Sequence, residues 1–380
     1  MPRLRSAAIL VAAAAPILAA PACAASTGAP AVISLAASVA RPAAAGPATA
    51  RLAAPPRAAQ PARVVGGGTT AGTTTAHTAA ARVVGTGTAA SCTSRAVVRA
   101  VARGGLITFN CGAAPVTITM QATARVDNRS AFVTLDGGGK VTLSGGGSHR
   151  ILYMDTCDPH QHWTTSHCQN QARPKLTVEN LTFADGNSTG HLIDGGGGGA
   201  IFDRGGQLKV INSTFTGNRC DSHGPDLGGA AIRALSQYQG RAVQVTQSVF
   251  RGGRCSNGGA LSSIGVSWVI RDSRFTGNQA IGHGANPARP GTDGGGSGGA
   301  IYTDGDRYTV RLIGSVISGN LAHEGGGAIF YVSNDHTGTL HITHSTLRHN
   351  PSQGFHTAGY PGIFYLGQGT HPIVTGSSLS

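Results

Sequence analysis

Short alternating runs of apolar and polar residues, each ending in the same kind of turn, recur along the second half of the chain. Ser213-Thr214-Phe215-Thr216-Gly217-Asn218, Ser273-Arg274-Phe275-Thr276-Gly277-Asn278 and Ser315-Val316-Ile317-Ser318-Gly319-Asn320 are copies of one element, and weaker copies run through Phe183, Phe250 and Leu347. Period two marks a strand with one buried face. A second, Gly-rich element alternates with the first: Gly198-Gly199-Ala200-Ile201, Gly228-Gly229-Ala230, Gly258-Gly259-Ala260-Leu261, Gly298-Gly299-Ala300-Ile301 and Gly326-Gly327-Ala328-Ile329.

The spacing between the two elements predicts the architecture. From each Gly-Gly-Ala alanine to the next apolar anchor is 15, 20, 15, 17 and 19 residues; from anchor to next alanine is 17, 15, 10, 25 and 11. Half of each repeat is nearly constant and the other half absorbs the length variation. Stacked coils with loops projecting on one side behave this way, whereas a β-sandwich with Gly-rich turns predicts no such register. The expected fold is all-β, a right-handed parallel β-helix with identical positions stacked at about 4.8 Å. Apolar residues fill its bore, and Asn side chains bond along the turn.

Shorter strands continue the pattern upstream at Leu106–Phe109, Val116–Thr119, Phe132–Leu135, Val141–Leu143 and Ile151–Tyr153. Ser94–Arg103, with Val97, Val98 and Val101 on one stripe, predicts a short helix capping the N-terminal end of the bore, where an open sheet edge invites association. At the far end Ile373–Leu379 reads as part of another repeat, with no cap visible.

Composition divides the chain. Residues 1–90 contain no acid and no Phe, Trp or Tyr, so they cannot bury enough surface to offset chain entropy. Residues 1–24 read as a signal peptide: Arg3 and Arg5, an apolar stretch from Ala7 to Ala20 broken by Pro16, then Ala22-Cys23-Ala24. Residues 25–89 read as a flexible Ala/Pro/Gly/Thr linker, and 90–380 as the β-helix domain. Nothing later is apolar enough to span a bilayer, so a secreted protein is expected, with the linker long enough to reach a cell wall. The net charge is +13, of which seven charges lie before residue 91. No dense Lys/Arg run interleaves with aromatics, which argues against nucleic acid as a partner. No nucleophile elbow, phosphate loop or dinucleotide fingerprint occurs between a strand and a helix.

Cleavage after Ala24 leaves six of the seven cysteines, an even number suited to an oxidising compartment. Of the 15 connectivities that six cysteines allow, the repeat favours Cys92–Cys111, Cys157–Cys168 and Cys220–Cys255. Within 157–168, His160, His162 and His167 offer a Zn²⁺ alternative to the disulfide. Trp163 in the same loop reads as a platform for a sugar face or as a lid on its neighbours.

Candidate chemistry sits in the variable loops. Asp194, Asp226, Asp293 and Glu324 each precede a Gly-Gly-Ala, with His191, His223, His283 and His323 nearby. If the acids stack, their repulsion calls for a cation, and Ca²⁺ held by Asp194, Asp226 and Asp293 is the candidate; simple turn chemistry is the alternative. Arg219 and Arg254 each stand immediately before a cysteine of the Cys220–Cys255 pair. The clamp would set both guanidiniums at one edge, suited to gripping carboxylates of a uronic-acid chain. Neutralisation by Asp221 and Asp226 is the bland alternative.

The Gly-Gly-Ala-Ile and Phe-x-x-Asn elements resemble the repeats of polymorphic outer-membrane proteins. More broadly, the chain resembles the secreted right-handed β-helix proteins of the pectin-lyase-like superfamily, including the opening from Cys92 to Gly112. The first resemblance implies a surface-binding role; a C-terminal barrel domain, and autotransport with it, is not expected. The second implies cleavage of acidic polysaccharide, with Ca²⁺ acidifying a sugar proton and Arg219 or Arg254 as base. The expectation is a binding protein for acidic extracellular glycan that requires no cofactor, with Trp163, His191, His223 and Asp293 contacting the ligand. A Ca²⁺-dependent polysaccharide lyase and a purely structural surface protein are the other two readings.

Overall fold

The computed structural model describes residues 81–192 and 195–380. The expected signal peptide, most of the linker and Asp194 lie outside them. The rest is a parallel β-helix. One 17-stranded and one 8-stranded sheet run along its length, a 3-stranded sheet joins three successive coils, and the ladders between coils are parallel.

One rung shows how sequence makes a coil. Leu261–Ile264 lies in the 8-stranded sheet, and Trp268–Arg271 in the first wing of the long sheet. After a corner at Asp272, Arg274–Thr276 forms the second wing and Gln279–Ala280 the 3-stranded sheet. A long loop then returns the chain to Ile301–Asp304. Trp268 and Ile270 point inward and are fully buried, while Arg271 is exposed. That is the alternation expected of a strand with one face in a core.

Each corner between the wings is one residue in the left-handed region. Asn180, Asn212, Gln247, Asp272, Gly314, His344 and Gly376 occupy successive rungs with φ between 41° and 59°. Asn, Asp and Gly tolerate this conformation, so the path turns sharply without losing a ladder. The next residue is serine on six successive rungs. Backbone N–H groups of Ser213, Ser248, Ser273, Ser315 and Ser345 each donate to the serine hydroxyl one rung on, at 3.0–3.2 Å.

Inside the bore Phe183, Phe215, Phe250 and Phe275 stack with centroids 5.0, 4.7 and 4.7 Å apart. Each buried ring contributes about 1.5–3 kcal/mol through burial and about 0.5–1.5 kcal/mol more through the stack. Three residues after the anchor comes the buried asparagine. Asn278 Nδ2 donates to Asn320 Oδ1 at 2.8 Å, and Asn320 Nδ2 to Asn350 Oδ1 at 2.9 Å. The Phe-x-x-Asn pattern is therefore a stack joined to a hydrogen-bond ladder.

The helix spans Ser94–Arg103, as the valine stripe predicts. Val97 and Val101 join the main core, and Thr93 caps the N-terminus by accepting from Ala96 N at 3.3 Å. Two expectations need correcting. Phe132–Leu135 and Val141–Leu143 belong to one strand, Phe132–Ser144, whose pairing shifts register between Asp136 and Val141. Arg82–Val84, inside the segment read as linker, pairs in parallel with Ile107–Phe109 and buries Val84. Three residues are too few for an alternation to show against an Ala/Gly/Thr background.

The three disulfides are Cys92–Cys111, Cys157–Cys168 and Cys220–Cys255, with Cα atoms 5.6, 4.9 and 4.8 Å apart. Among the described residues, no helix is long and apolar enough to cross a membrane, which says nothing of β-barrel spans.

Candidate ligand-binding site

Arg219 and Arg254 pair directly as a parallel bridge on adjacent rungs. Each follows a corner built from Gly217-Asn218 or Gly252-Gly253 and precedes a half-cystine. Cys220 and Cys255 pack with Ala230 in a small buried cluster. Their bond fixes the two rungs together at the point where the arginines emerge.

Both arginines are exposed, and among the described residues neither has an ion-pair partner within 4 Å. The bland alternative, pairing with Asp221 or Asp226, is not what the coil does: the Asp221 carboxylate accepts from Gly190 N and Asp226 from Asn286. The two arginines line a hollow of about 410 Å³ with Gly217, Asn218, Gly252 and Ile281. Arg219 reaches back over Gly147, while the charge of Arg254 is felt at His323, two rungs on. The positive charge is thus spread along the hollow.

Ile281 is shared with a second hollow of about 390 Å³, lined by Ser222, His223, His283, Thr292 and Asp293. Two expected ligand-contacting residues, His223 and Asp293, therefore meet here. His283 stacks on His323 with centroids 4.5 Å apart. Burial, then His283 and Arg254, hold His323 below the ordinary value of 6.5. Beside them Glu324 takes a bidentate grip from Arg289 at 2.7 and 2.8 Å and accepts from Gly284 N. Those bonds hold its carboxyl below the usual range and neutralise the acid nearest the imidazoles. Chemically, the joined hollows present two free guanidiniums, an imidazole pair and hydroxyl groups. That is an arrangement for holding an anion.

The other expected residues lie elsewhere. His191 is exposed in a separate hollow of about 290 Å³ with Arg125, Tyr153, Asp158 and His160. Trp163 is half-buried in the disulfide-closed loop, where its carbonyl accepts from Asn128 Nδ2 at 2.8 Å. In the same loop His162 pairs with Asp127 at 2.7 Å and His160 with Asp158 at 3.0 Å. The acids before the Gly-Gly-Ala elements do not form one column: Asp226 goes to Asn286, Glu324 to Arg289, and Asp293 to the hollow rim. Loops of 10 to 25 residues carry them to different places. Among the described residues no three His, Cys, Asp or Glu side chains gather as a metal site.

One cluster escaped sequence reading altogether. On the outer face of the 8-stranded sheet, Arg233 stands in register with Phe202 and Ser262 and is buried. It donates to Ser262 Oγ at 2.6 Å and to the Asp226 carbonyl at 2.5 Å, and burial pulls its pKa down to about 10. Asn286 Nδ2 lies 2.8, 2.7 and 3.0 Å from Asp226 Oδ1, Tyr302 Oη and Asp304 Oδ2. The amide latches the long return loop to the coil. A lone arginine at a position that Phe202, Tyr302 and Phe330 fill in other repeats was the available signal.

Residues 272–304 match the family described as Chlamydia polymorphic membrane protein (Chlamydia_PMP) repeat. No curated protein and no solved structure matches the chain. The match covers one repeat, including the Phe275 and Gly298-Gly299-Ala300 elements. Together with the three disulfides it points to a cell-surface or extracellular protein.

Proposed function

We propose that this β-helix is a surface or extracellular binding protein for acidic polysaccharide, and that the hollow at Arg219 and Arg254 grips sugar carboxylates. One observation carries the reading: two exposed arginines in direct register, clamped by a disulfide, without an acidic partner among the described residues. Two cations at backbone positions fixed side by side favour an anionic ligand, because each guanidinium presents a planar fork that matches a carboxylate. His223 and Asp293 in the adjoining hollow extend the contact to sugar hydroxyls. Trp163 and His191, away from this edge, would touch only a longer chain.

The test mixes the full-length oxidised chain with polygalacturonate and with alginate, with and without Ca²⁺. Co-sedimentation that falls with added salt, weakened about tenfold by Arg219→Ala/Arg254→Ala, is the expected result. Growth of ultraviolet absorbance from unsaturated uronides in the presence of Ca²⁺, lost in Asp226→Ala or Arg254→Ala, would make the protein a lyase instead. Neither signal would leave a structural surface protein.

A further inference from the structure

The first wing of the long sheet carries a second cationic surface. Its outward strand positions carry Lys175, Lys209, Arg271, Arg311 and His341. On the rung between Lys209 and Arg271 the turn just before the strand Val243–Thr246 supplies Arg241, so six successive rungs each have a basic side chain. Lys209, Arg311 and His341 share one column through the registers Lys209↔Gln244↔Val269↔Arg311↔His341. The strands from Gln207 to Thr343 on this wing contain no acid; Glu179 one rung earlier and Asp272 at the corner are the nearest. All five Lys and Arg side chains are exposed, and none has an ion-pair partner within 4 Å among the described residues.

The face also has relief. Lys175, Lys209 and Arg241 rim a hollow of about 420 Å³, whose sides include Thr177, Gln207, Ala242 and Gln244, while Leu176 and Leu208 between them face the core. Arg241 is held over it by a hydrogen bond to Gln207 Oε1 at 3.2 Å. The amides of Gln207 and Gln244 and the Thr177 hydroxyl suit the hydroxyl groups of a sugar ring, and the cations suit its carboxylate.

We infer that this wing binds a linear acidic polysaccharide laid lengthwise along the solenoid, with its anchor in the Lys175–Lys209–Arg241 hollow. The five rungs from Lys175 to Arg311 at about 4.8 Å span about 19 Å, too long for a compact anion to use; His341 continues the row as an imidazole that burial and Arg311 hold below the ordinary 6.5. A linear chain with one carboxylate per sugar meets a cation on successive rungs. Nucleic acid fits less well, because these strands offer no exposed aromatic ring for base stacking; their one aromatic, Trp268, is buried. The inference takes its ligand class from the function proposed above but stands on different residues.

The full-length chain would be titrated with oligogalacturonides of increasing length and with polygalacturonate. Three forms are compared: wild type, Arg219→Ala/Arg254→Ala, and Lys175→Gln/Lys209→Gln/Arg241→Gln. Affinity of the wild type should rise with length up to about five sugars. The Gln triple variant should lose at least tenfold on the long polymer and show no length dependence, while the Arg219/Arg254 variant keeps that dependence. All substituted side chains are exposed, so unchanged thermal midpoints should accompany the losses. Long-chain affinity within twofold of wild type in the triple variant overturns the inference, and if Arg219/Arg254 still matters, the proposed function stands without it. Equal affinity for duplex DNA with the same losses overturns the glycan assignment. Absence of any binding to the polymer overturns both.

Discussion

His283 and His323 stack with their rings 4.5 Å apart, and Nδ1 of His323 lies 3.2 Å from Nε2 of His283. One nitrogen must donate and the other accept, so the close pair is compatible with at most one imidazolium without repulsion. Arg254 adds positive charge on the same side, while Glu324 is occupied by Arg289. A histidine whose folded-state pKa is depressed contributes stability that is complete above its unfolded value and lost as pH falls. Unfolding free energy should therefore decline as pH drops below about 6.5. His323→Gln should flatten part of that decline. A bound polyanion should oppose it, by favouring the protonated pair. Denaturant unfolding across pH 5 to 8 checks this; identical pH slopes for wild type and variant would sink it.

The clamp behind Arg219 and Arg254 has its own consequence. Cys220 and Cys255 are 35 residues apart in sequence and almost completely buried. Removing a cross-link over a loop of that size costs roughly 3–4 kcal/mol in the chain-entropy account. Cys220→Ser/Cys255→Ser should lose about that much in denaturant unfolding. In a solenoid each coil leans on its neighbours, so faster amide exchange should concentrate between residues 188 and 280. Uniform exchange along the chain would contradict this local role.

The repeat made most of the architecture legible before any coordinates. Phe215, Phe275 and Asn320 fixed the register because each projects inward at the same point of its coil. The disulfide partners Cys220 and Cys255 followed, since each stands just after the same corner. What could not be read depends on the path of the return loop. The 25 residues between Phe275 and Ala300 bring His283 onto His323, Arg289 onto Glu324 and Asn286 onto Asp304. No periodicity constrains such a loop, so acids that share a position in the repeat reach different partners. The cations on the first wing were visible as outward residues of strands. Their common face emerged only once the corner residues separated the two wings.

A buried acid gives a third test. Asp203 points into the bore and is fully buried; Oδ2 accepts from Gln237 at 2.5 Å, while Oδ1 has no hydrogen-bond partner. Burial pushes its carboxyl well above the usual 3.8. A raised acid favours the folded state below pH 3.8, and that advantage is lost as pH rises toward the folded value. Asp203→Asn should thus be more stable than wild type at neutral pH, with the gain shrinking as pH approaches 4. A thermal-unfolding series from pH 4 to 8 reads the trend, and a gain independent of pH would contradict it.

The asparagine ladder gives the last. Asn320 Oδ1 accepts from Asn278 N at 2.9 Å and from Asn278 Nδ2 at 2.8 Å, while Asn320 Nδ2 donates to Phe275 O at 3.1 Å. All of these atoms are buried, and leaving one buried polar group unpaired costs about 1–3 kcal/mol. Asn320→Ala strands at least two groups, so a loss of about 3 kcal/mol or more is expected. Gly253 shows the ladder from the opposite side, since it stands where the Phe-x-x-Asn pattern places asparagine. Asn278 bridges the gap by accepting from Gly253 N at 3.0 Å and donating to Phe250 O at 3.1 Å. A Cβ at Gly253 would strike the carbonyl oxygen of Gly259. Gly253→Asn should therefore destabilise, although it restores the consensus of the repeat. Denaturant midpoints of both variants decide the matter: a neutral Asn320→Ala or a stabilising Gly253→Asn would mean that the coils are held by their apolar stack alone.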